Sequence, residues 1–224
     1  MPQRSAAVIG ATGLVGRHLV STLIADPTYT KVVVLARRGL AVSHDKLEAR
    51  LVDFDELDKH ELDVDDAFSA LGTTIKQAGS KAAFRKVDFD FNLAFARAAR
   101  RSADQLLLVS ALGASDKSRI FYNRVKGELE EAVRALGFGG THVFRPSFLA
   151  GDRDEKRVGE RAGIFAARVL ATVLPIGPVR RARPIEASDV AGAMVSVAKR
   201  DERGFFVHES ERIQAIADSS GRSN

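Results

Sequence analysis

The sequence contains no cysteine. A chain without cysteine forms no disulfide, binds no metal through thiolates and has no cysteine nucleophile, so three classes of site are excluded together. None of the five histidines stands at metal-ligand spacing from another, and we expect no metal site. Absence of cysteine also fits a reducing compartment, so we expect a cytoplasmic protein.

Long apolar runs are also absent. Residues 1–5 lead straight into a strand-like segment, so no secretory signal peptide is expected. No stretch approaches the length that spans a bilayer, and we expect no membrane partner. Without repeats or linkers, the chain is predicted to be one domain over residues 1–224, with residues 147–218 forming a small substrate-side extension. We expect a monomer or a homodimer.

The composition is that of an ordinary globular protein, with 45% hydrophobic and 28% charged residues among 224. The net charge of +5 comes from basic residues that are spread along the chain, so we expect no nucleic-acid partner. A positive balance suits a small anionic ligand such as a dinucleotide.

Strand-like and helix-like segments alternate along the chain. The predicted strands are Ala6–Ile9, Lys31–Ala36, Ala49–Asp53, Asp66–Leu71, Gln105–Val109, Thr141–Phe144 and Phe205–Val207. The predicted helices are Leu14–Ala25, Phe84–Arg100, Phe121–Leu136, Ile164–Val173 and Ser188–Lys199. The polar tail Asp218–Asn224 is predicted to fray. This alternation predicts an α/β fold with a doubly wound parallel sheet.

A glycine-rich loop, Gly10–Gly16, joins the first strand to the first helix. Gly10 permits the sharp turn out of the strand, Gly13 lets the backbone approach a pyrophosphate, and Gly16 allows the helix to pack closely on the sheet. The helix start then directs unpaired N–H groups at the anion. With a second strand about 20 residues on, the context predicts a Rossmann fold that binds a dinucleotide.

The second strand ends at Ala36 and is followed by Arg37 and Arg38. An NAD site usually has an acidic residue there, whereas arginine forks suit a ribose 2′-phosphate. We therefore expect NADP(H) rather than NAD. Asp53 is a candidate acceptor for the adenine amino group, with a loop-capping role as the alternative.

Tyr122 and Lys126 stand four residues apart on a predicted helix and so share one face. Ser110 follows the fifth strand, at the sheet edge where such folds bind ligands. A nearby ammonium group lowers the pKa of a tyrosine and makes it a better acid–base group. Ser110 would hold the substrate oxygen. The chain has only two tyrosines, which adds weight to this pairing.

These motifs together resemble the short-chain dehydrogenase/reductase superfamily, atypical branch, and are similar to the Tat-interacting-protein-like NAD(P)-binding oxidoreductases. The segments that carry the resemblance are Gly10–Gly16, Ala36–Arg38, Leu71–Thr74, Tyr122–Glu128, Phe144–Pro146 and Gly151–Arg153.

The resemblance implies an NADP(H)-dependent oxidoreductase that acts on a carbonyl or alcohol substrate. In it, Tyr122 would be the proton donor and acceptor, and Lys126 would bind the nicotinamide ribose and tune the tyrosine. Leu149 would lie in a loop over the nicotinamide, and Arg157 would reach the cofactor or substrate. The other implied cofactor contacts are Thr12, Gly13, Leu14, Arg37, Arg38, Leu71 and Gly72.

The chain departs from the family in two places. A second serine often follows the first after the fifth strand, but Ala111 stands there. The relay asparagine has no clear counterpart, since Asn92 is equally well read as a surface residue. A regulatory or protein-interaction module that binds NADP(H) without turnover is therefore the alternative. An epimerase or dehydratase is a weaker third reading, because only about 75 residues follow the sixth strand.

Overall fold

The computed structural model describes residues 3–150 and 184–221, so the predicted helix Ile164–Val173 lies outside the described residues. The strands are β1 Arg4–Ile9, β2 Tyr29–Ala36, β3 Leu47–Leu51, β4 Asp66–Ser69, β5 Gln105–Val109, β6 Gly140–Arg145, β7 Leu149–Ala150, β8 Ile185–Glu186 and β9 Gly204–Glu209. The α-helices are α1 Leu14–Ala25, α2 Ile75–Ala78, α3 Lys81–Arg85, α4 Asn92–Ala99, α5 Phe121–Arg134, α6 Ala187–Ala198 and α7 Ser210–Gly221. A 3₁₀ segment covers Phe54–Lys59 and a π-helical segment covers Lys86–Phe91.

Seven strands form one parallel sheet in the order β3-β2-β1-β4-β5-β6-β9. Ile9 at the end of β1 lies opposite Leu35 of β2 and Ser69 of β4. The strand order reverses between β1 and β4, and open α/β sheets bind ligands outside the carboxyl ends of the strands at such a point. The predicted doubly wound Rossmann fold is confirmed.

Successive residues of β1 pack into two different hydrophobic cores, because side chains alternate between the two faces of a strand. Ala6 and Val8 join a core with α1, α6 and α7. Ala7 and Ile9 join a core with the 3₁₀ segment, α4 and α5. Each face of the sheet is therefore covered by helices, which leaves the carboxyl ends of the strands to build the site.

Two elements from the range predicted as an extension belong to the main fold. Strand β9 pairs with β6 as the seventh strand, and α6 packs against α1. The assignment of the remainder of residues 147–218 to a substrate-side extension stays a prediction. Among the described residues, the helices are too short or too polar to cross a bilayer.

Helix prediction was wrong in two regions. The helix predicted over Phe84–Arg100 begins three residues earlier and contains the π-helical segment Lys86–Phe91. The tail predicted to fray from Asp218 lies partly in α7, where Ile213 and Ile216 are buried in the core.

Two buried histidines face each other across β6 and β9. His142 Nδ1 lies 3.2 Å from His208 Nε2, and His142 stacks on Phe206 while His208 stacks on Phe144. Burial, His142, Arg212 and Arg200 lower the pKa of His208 to about 4. Burial likewise lowers the pKa of His142. Both rings are therefore neutral in the folded protein at pH 7.

This pair predicts a loss of stability in acid. Above pH 6.5 both states hold neutral imidazole, but below it the unfolded chain takes up a proton that folded His208 resists until about pH 4. Between pH 6.5 and about pH 4, the low pKa of folded His208 should therefore lower the free energy of unfolding by about 3 kcal/mol. Denaturant unfolding at pH 7 and pH 4.5 should show a smaller acid loss in His208→Gln than in wild type. Exposed His44→Gln is the control, and an equal loss in all three proteins would contradict the assignment.

Candidate active site

The glycine loop has no room for side chains at its two ends. Gly10 has a φ of +83°, in the left-handed region that favours glycine. A Cβ on Gly10 would lie 2.4 Å from Leu71 N, and one on Gly16 would lie 2.0 Å from Gly10 O. The loop after β1, the first turn of α1 and the chain after β4 therefore touch through their backbones.

The start of α1 is open to an anion. Gly13 is the N-cap residue and provides no side-chain hydrogen bond, and the first turn, fully described in the structure, carries no acidic side chain. Thr12 and Gly13 are exposed and Leu14 is half-buried. Free N–H groups at the positive end of a 12-residue helix fit a pyrophosphate.

Arg37 and Arg38 are exposed at the carboxyl end of β2. The guanidinium carbon of Arg37 lies 5.3 Å from the ring centroid of Phe54. Within residues 3–150 and 184–221, neither arginine forms an ion pair with a carboxylate. Both cations are therefore available to an external anion beside the glycine loop.

Asp53 caps the 3₁₀ segment. Its Oδ1 accepts a hydrogen bond from Asp55 N at 2.9 Å, and the side chain is exposed. The capping role considered as an alternative is thus present, and a contact with adenine stays a prediction.

Leu71 and Gly72 follow β4 and are braced by Asn92. Asn92 Nδ2 donates to Leu71 O at 3.3 Å and to Val87 O at 2.9 Å, and its Oδ1 accepts from Ser69 Oγ. Asn92 is 2% exposed, so the surface position that we considered for it is wrong. With both ends of its amide occupied, it holds the loop after β4 in place.

Tyr122 and Lys126 lie on the same face of α5, as predicted from their spacing. Lys126 is buried, and the half-buried ring of Tyr122 lies 5.3 Å from that of Phe84. A Cβ on Gly72 would lie 3.6 Å from Lys126 Nζ. The loop after β4 thus lies close to the glycine loop on one side and to Lys126 on the other, so the structure brings these predicted cofactor and acid–base residues together.

The structure places a carboxylate, which the sequence analysis did not identify, beside the face of α5 that carries Tyr122 and Lys126. Lys126 Nζ lies 2.7 Å from Asp88 Oδ1, with both side chains almost fully buried. Asp88 Oδ2 accepts from Thr73 N at 2.9 Å. Asp88 is one acid among many in the sequence, and the π-helical turn that aims it inward has no local signature.

The pKa of Tyr122 lies above its ordinary value, opposite to the lowering that we expected from Lys126. Burial raises the pKa of Tyr122, Lys126 lowers it, and Asp88 raises it again. For Lys126, burial alone lowers the pKa, but the negative charges of Asp88 and of an ionised Tyr122 raise it overall. The expectation failed because it omitted both desolvation and Asp88.

Ser110 is held by a buried carboxylate. Its Oγ donates to Glu130 Oε1, and Glu130 also accepts from Arg145 Nε at 3.1 Å. Ser110 and the neighbouring Ala111 are both buried. The predicted role of Ser110 in holding a substrate oxygen therefore depends on a lone pair of a hydroxyl whose proton is directed at Glu130.

The last two predicted contacts lie beyond β6. Leu149 is half-buried in β7, which pairs with β8 through Leu149 and Ile185. Arg157 lies outside the described residues.

Comparison with curated sequences identifies close relatives. The chain is 38% identical over 177 residues to "Protein fmp52, mitochondrial" of Emericella nidulans, covering 75% of this chain and 76% of the relative. It is 36% identical over 225 residues to "Protein fmp52-1, mitochondrial" of Aspergillus terreus, covering 96% of each. The chain belongs to the Fmp52 family. A model of the semialdehyde dehydrogenase NAD-binding domain also matches residues 5–90, the part that contains the glycine loop.

Solved structures of the same fold contain nicotinamide cofactors. MoeE5 in complex with UDP-glucose and NAD has a TM-score of 0.68 at 16% identity, covering 97% of this chain and 82% of that one. The human epimerase family protein SDR39U1 with NADPH has a TM-score of 0.63 at 17% identity, covering 90% and 72%. At this level of identity the neighbours show the fold alone, and they confirm the predicted Rossmann-type fold.

The Fmp52 relatives overturn the predicted location. The relatives from Emericella nidulans, Aspergillus clavatus and Candida albicans are all named as mitochondrial proteins. The cytoplasmic prediction is therefore wrong. It relied on an absence of cysteine, which reports a reducing environment and does not distinguish one reducing compartment from another.

Proposed function

We propose that the protein is an NADP(H)-dependent oxidoreductase of the short-chain dehydrogenase/reductase type that acts on a carbonyl or alcohol. The observation that carries this proposal is the close approach of Gly72 to Lys126 beside the glycine loop, since a Cβ on Gly72 would lie 3.6 Å from Lys126 Nζ. It joins a cradle suited to a dinucleotide to the pair of Tyr122 and Lys126 on α5, at the carboxyl ends of the strands.

The cradle fits the cofactor because a Cβ would fill it at Gly10 and Gly16, where only backbone is tolerated. The open start of α1, with Thr12 and Gly13, would hold the pyrophosphate. The remaining contacts would come from Leu14, Arg37, Arg38, Asp53, Leu71, Gly72, Tyr122, Lys126, Leu149 and Arg157.

The nicotinamide would supply or accept the hydride, and the residues of this chain manage the proton. Tyr122 would donate its hydroxyl proton to a carbonyl oxygen or remove one from an alcohol. Lys126 would hold the nicotinamide ribose and keep positive charge near the tyrosine oxygen, which stabilises the phenolate as the proton leaves. Ser110 Oγ, whose proton is directed at Glu130, would accept a hydrogen bond from the hydroxyl of an alcohol substrate or product.

A module that binds NADP(H) and contacts a partner without turnover is the second candidate. The observations that favour it are Ala111 in place of a second serine and the buried hydrogen bond of Ser110 to Glu130. This candidate retains the cofactor site, so only measurements of turnover separate the two.

The preference for NADP(H) is tested on Arg37 and Arg38. Each forms a charge-assisted contact with the 2′-phosphate in this proposal, so Arg37→Gln or Arg38→Gln should weaken NADPH binding by about tenfold to a hundredfold. NADH binding should change little, and wild type should prefer NADPH. A fluorescence titration of both cofactors measures these affinities.

Arg203→Gln is the control for this titration. Arg203 is an exposed arginine that precedes β9, at the opposite end of the sheet from the site, and it pairs with Asp104. Equal affinity of the wild type for the two cofactors, or a preference for NADH, would refute the role of both arginines.

A further inference from the structure

Asp88 and Lys126 form a buried ion pair that leaves little freedom to either partner. Their side chains are 0% and 5% exposed, and the Nζ–Oδ1 distance is 2.7 Å. Breaking such a pair costs far more than an exposed one, because an unpaired charge remains in the interior. A buried acid at this point is therefore held against Lys126 by the fold itself.

The backbone around Asp88 fixes its carboxylate beneath the loop after β4. Asp88 lies in the π-helical segment, a rare geometry that is frequent at functional sites. Thr73 N donates to its second oxygen at 2.9 Å, which fixes the carboxylate plane. A Cβ on Gly72 would lie 3.4 Å from Asp88 Oδ1, so the pair sits directly under the loop predicted to contact the cofactor.

We propose that Asp88 is a positioning residue, which holds Lys126 in place under the loop after β4 and offsets its charge beside Tyr122. This inference rests on the function proposed above. The charged groups that act on Tyr122 are Lys126 from its own helix and Asp88 from the π-helical segment, while Phe84 packs on its ring. Glu130 also faces Lys126 but is paired with Arg145.

Carbonyl reduction in the proposed function balances without a further reagent. A bound reduced dinucleotide would supply the hydride, and the Tyr122 hydroxyl would give its proton to the oxygen that becomes the alcohol. Solvent would then return one proton to the tyrosine oxygen.

Tyrosinate absorbance in a pH titration tests the proposal without cofactor or substrate. The chain has two tyrosines and no tryptophan. Tyr29 is buried and donates to Asp66, and burial raises its pKa far above the range in which the protein is titrated. The phenolate signal of the folded protein therefore belongs to Tyr122, and its loss in Tyr122→Phe confirms the assignment.

Asp88→Asn should lower the pH at which this signal appears by about one unit or more, because the Lys126 charge is then no longer offset. The substitution keeps an oxygen for Thr73 N and removes only the charge. Asp90→Asn is the matched control, since Asp90 is an exposed acid in the same π-helical segment. It should titrate like wild type.

The double variant Asp88→Asn/Lys126→Met protects the test against misfolding, because it leaves no unpaired buried charge. With the ammonium gone, its phenolate signal should return to the wild-type pH or rise above it. A folded Asp88→Asn protein that titrates like wild type, or a double variant that titrates as low as Asp88→Asn, overturns the inference while leaving the proposed oxidoreductase intact. A shift in Asp88→Asn alongside a failure of wild type to turn over any carbonyl would reject the oxidoreductase, but not the control of Tyr122 by Asp88.

Discussion

Replacing Tyr122 with phenylalanine should lower kcat for carbonyl reduction by about 10²–10⁴-fold, the usual contribution of a positioned acid–base group. The substitution removes one hydroxyl and preserves the ring contact with Phe84. The Kd for NADPH should therefore remain close to that of wild type. Steady-state kinetics with a panel of aldehydes and ketones, together with a cofactor titration, measures both quantities.

Tyr29→Phe is the control, because it deletes the other tyrosine hydroxyl, which donates to Asp66 at 2.8 Å. Tyr29 is in β2 and Asp66 begins β4, at the amino end of its strand and away from the site. Tyr29→Phe should lose stability but keep its kcat. Unchanged turnover in Tyr122→Phe would remove Tyr122 from the chemistry.

Gly16→Ala should abolish tight NADPH binding and lower the melting temperature. The added Cβ would lie 2.0 Å from Gly10 O and 2.9 Å from Ala11 Cα, and both are backbone atoms that cannot rotate away. Either α1 moves off the sheet or the loop opens, and each change removes the cradle. Overpacking of a well-packed site typically costs about 1–3 kcal/mol, so thermal unfolding and a cofactor titration should both report the change.

Gly192→Ala provides the matched comparison for this substitution. Gly192 also lies within a helix, α6, but a Cβ there would meet nothing within 4 Å. Alanine should therefore stabilise the protein by about 0.5–1 kcal/mol with no effect on the cofactor. If Gly16→Ala bound NADPH as wild type does, the close approach of α1 to the loop would have no part in binding.

Much of the fold was predictable because local and global signals agree. Helix α1 has its predicted bounds, since the glycine loop fixes its start and Asp26 with Pro27 its end. Strand β5 also has its predicted bounds, as a continuous apolar run buried on both faces. Helix α7 was missed because its polar surface hides the pair Ile213 and Ile216, whose spacing of three residues is the only sign of a buried face.

The site was predictable only where residues act at short sequence separation. The spacing of Tyr122 and Lys126 is a property of one helix. The contact of Lys126 with Asp88 joins residues 38 positions apart, and that of Ser110 with Glu130 joins strand end to helix. Neither leaves a local pattern, and the π-helical turn that aims Asp88 is decided by packing. For this reason the direction of the Tyr122 pKa shift could not be read from the sequence.

Hydride transfer from the cofactor to a carbonyl is the most direct test of the oxidoreductase assignment. Wild-type protein is mixed with NADPH deuterated at the reactive nicotinamide position and with each carbonyl of the panel, and the alcohols are analysed by mass spectrometry. The NADP(H)-dependent oxidoreductase proposed here predicts one deuterium on the former carbonyl carbon of at least one product, with faster transfer from NADPH than from NADH. Tight NADPH binding with no deuterium in any product across the panel would contradict it and favour the binding module.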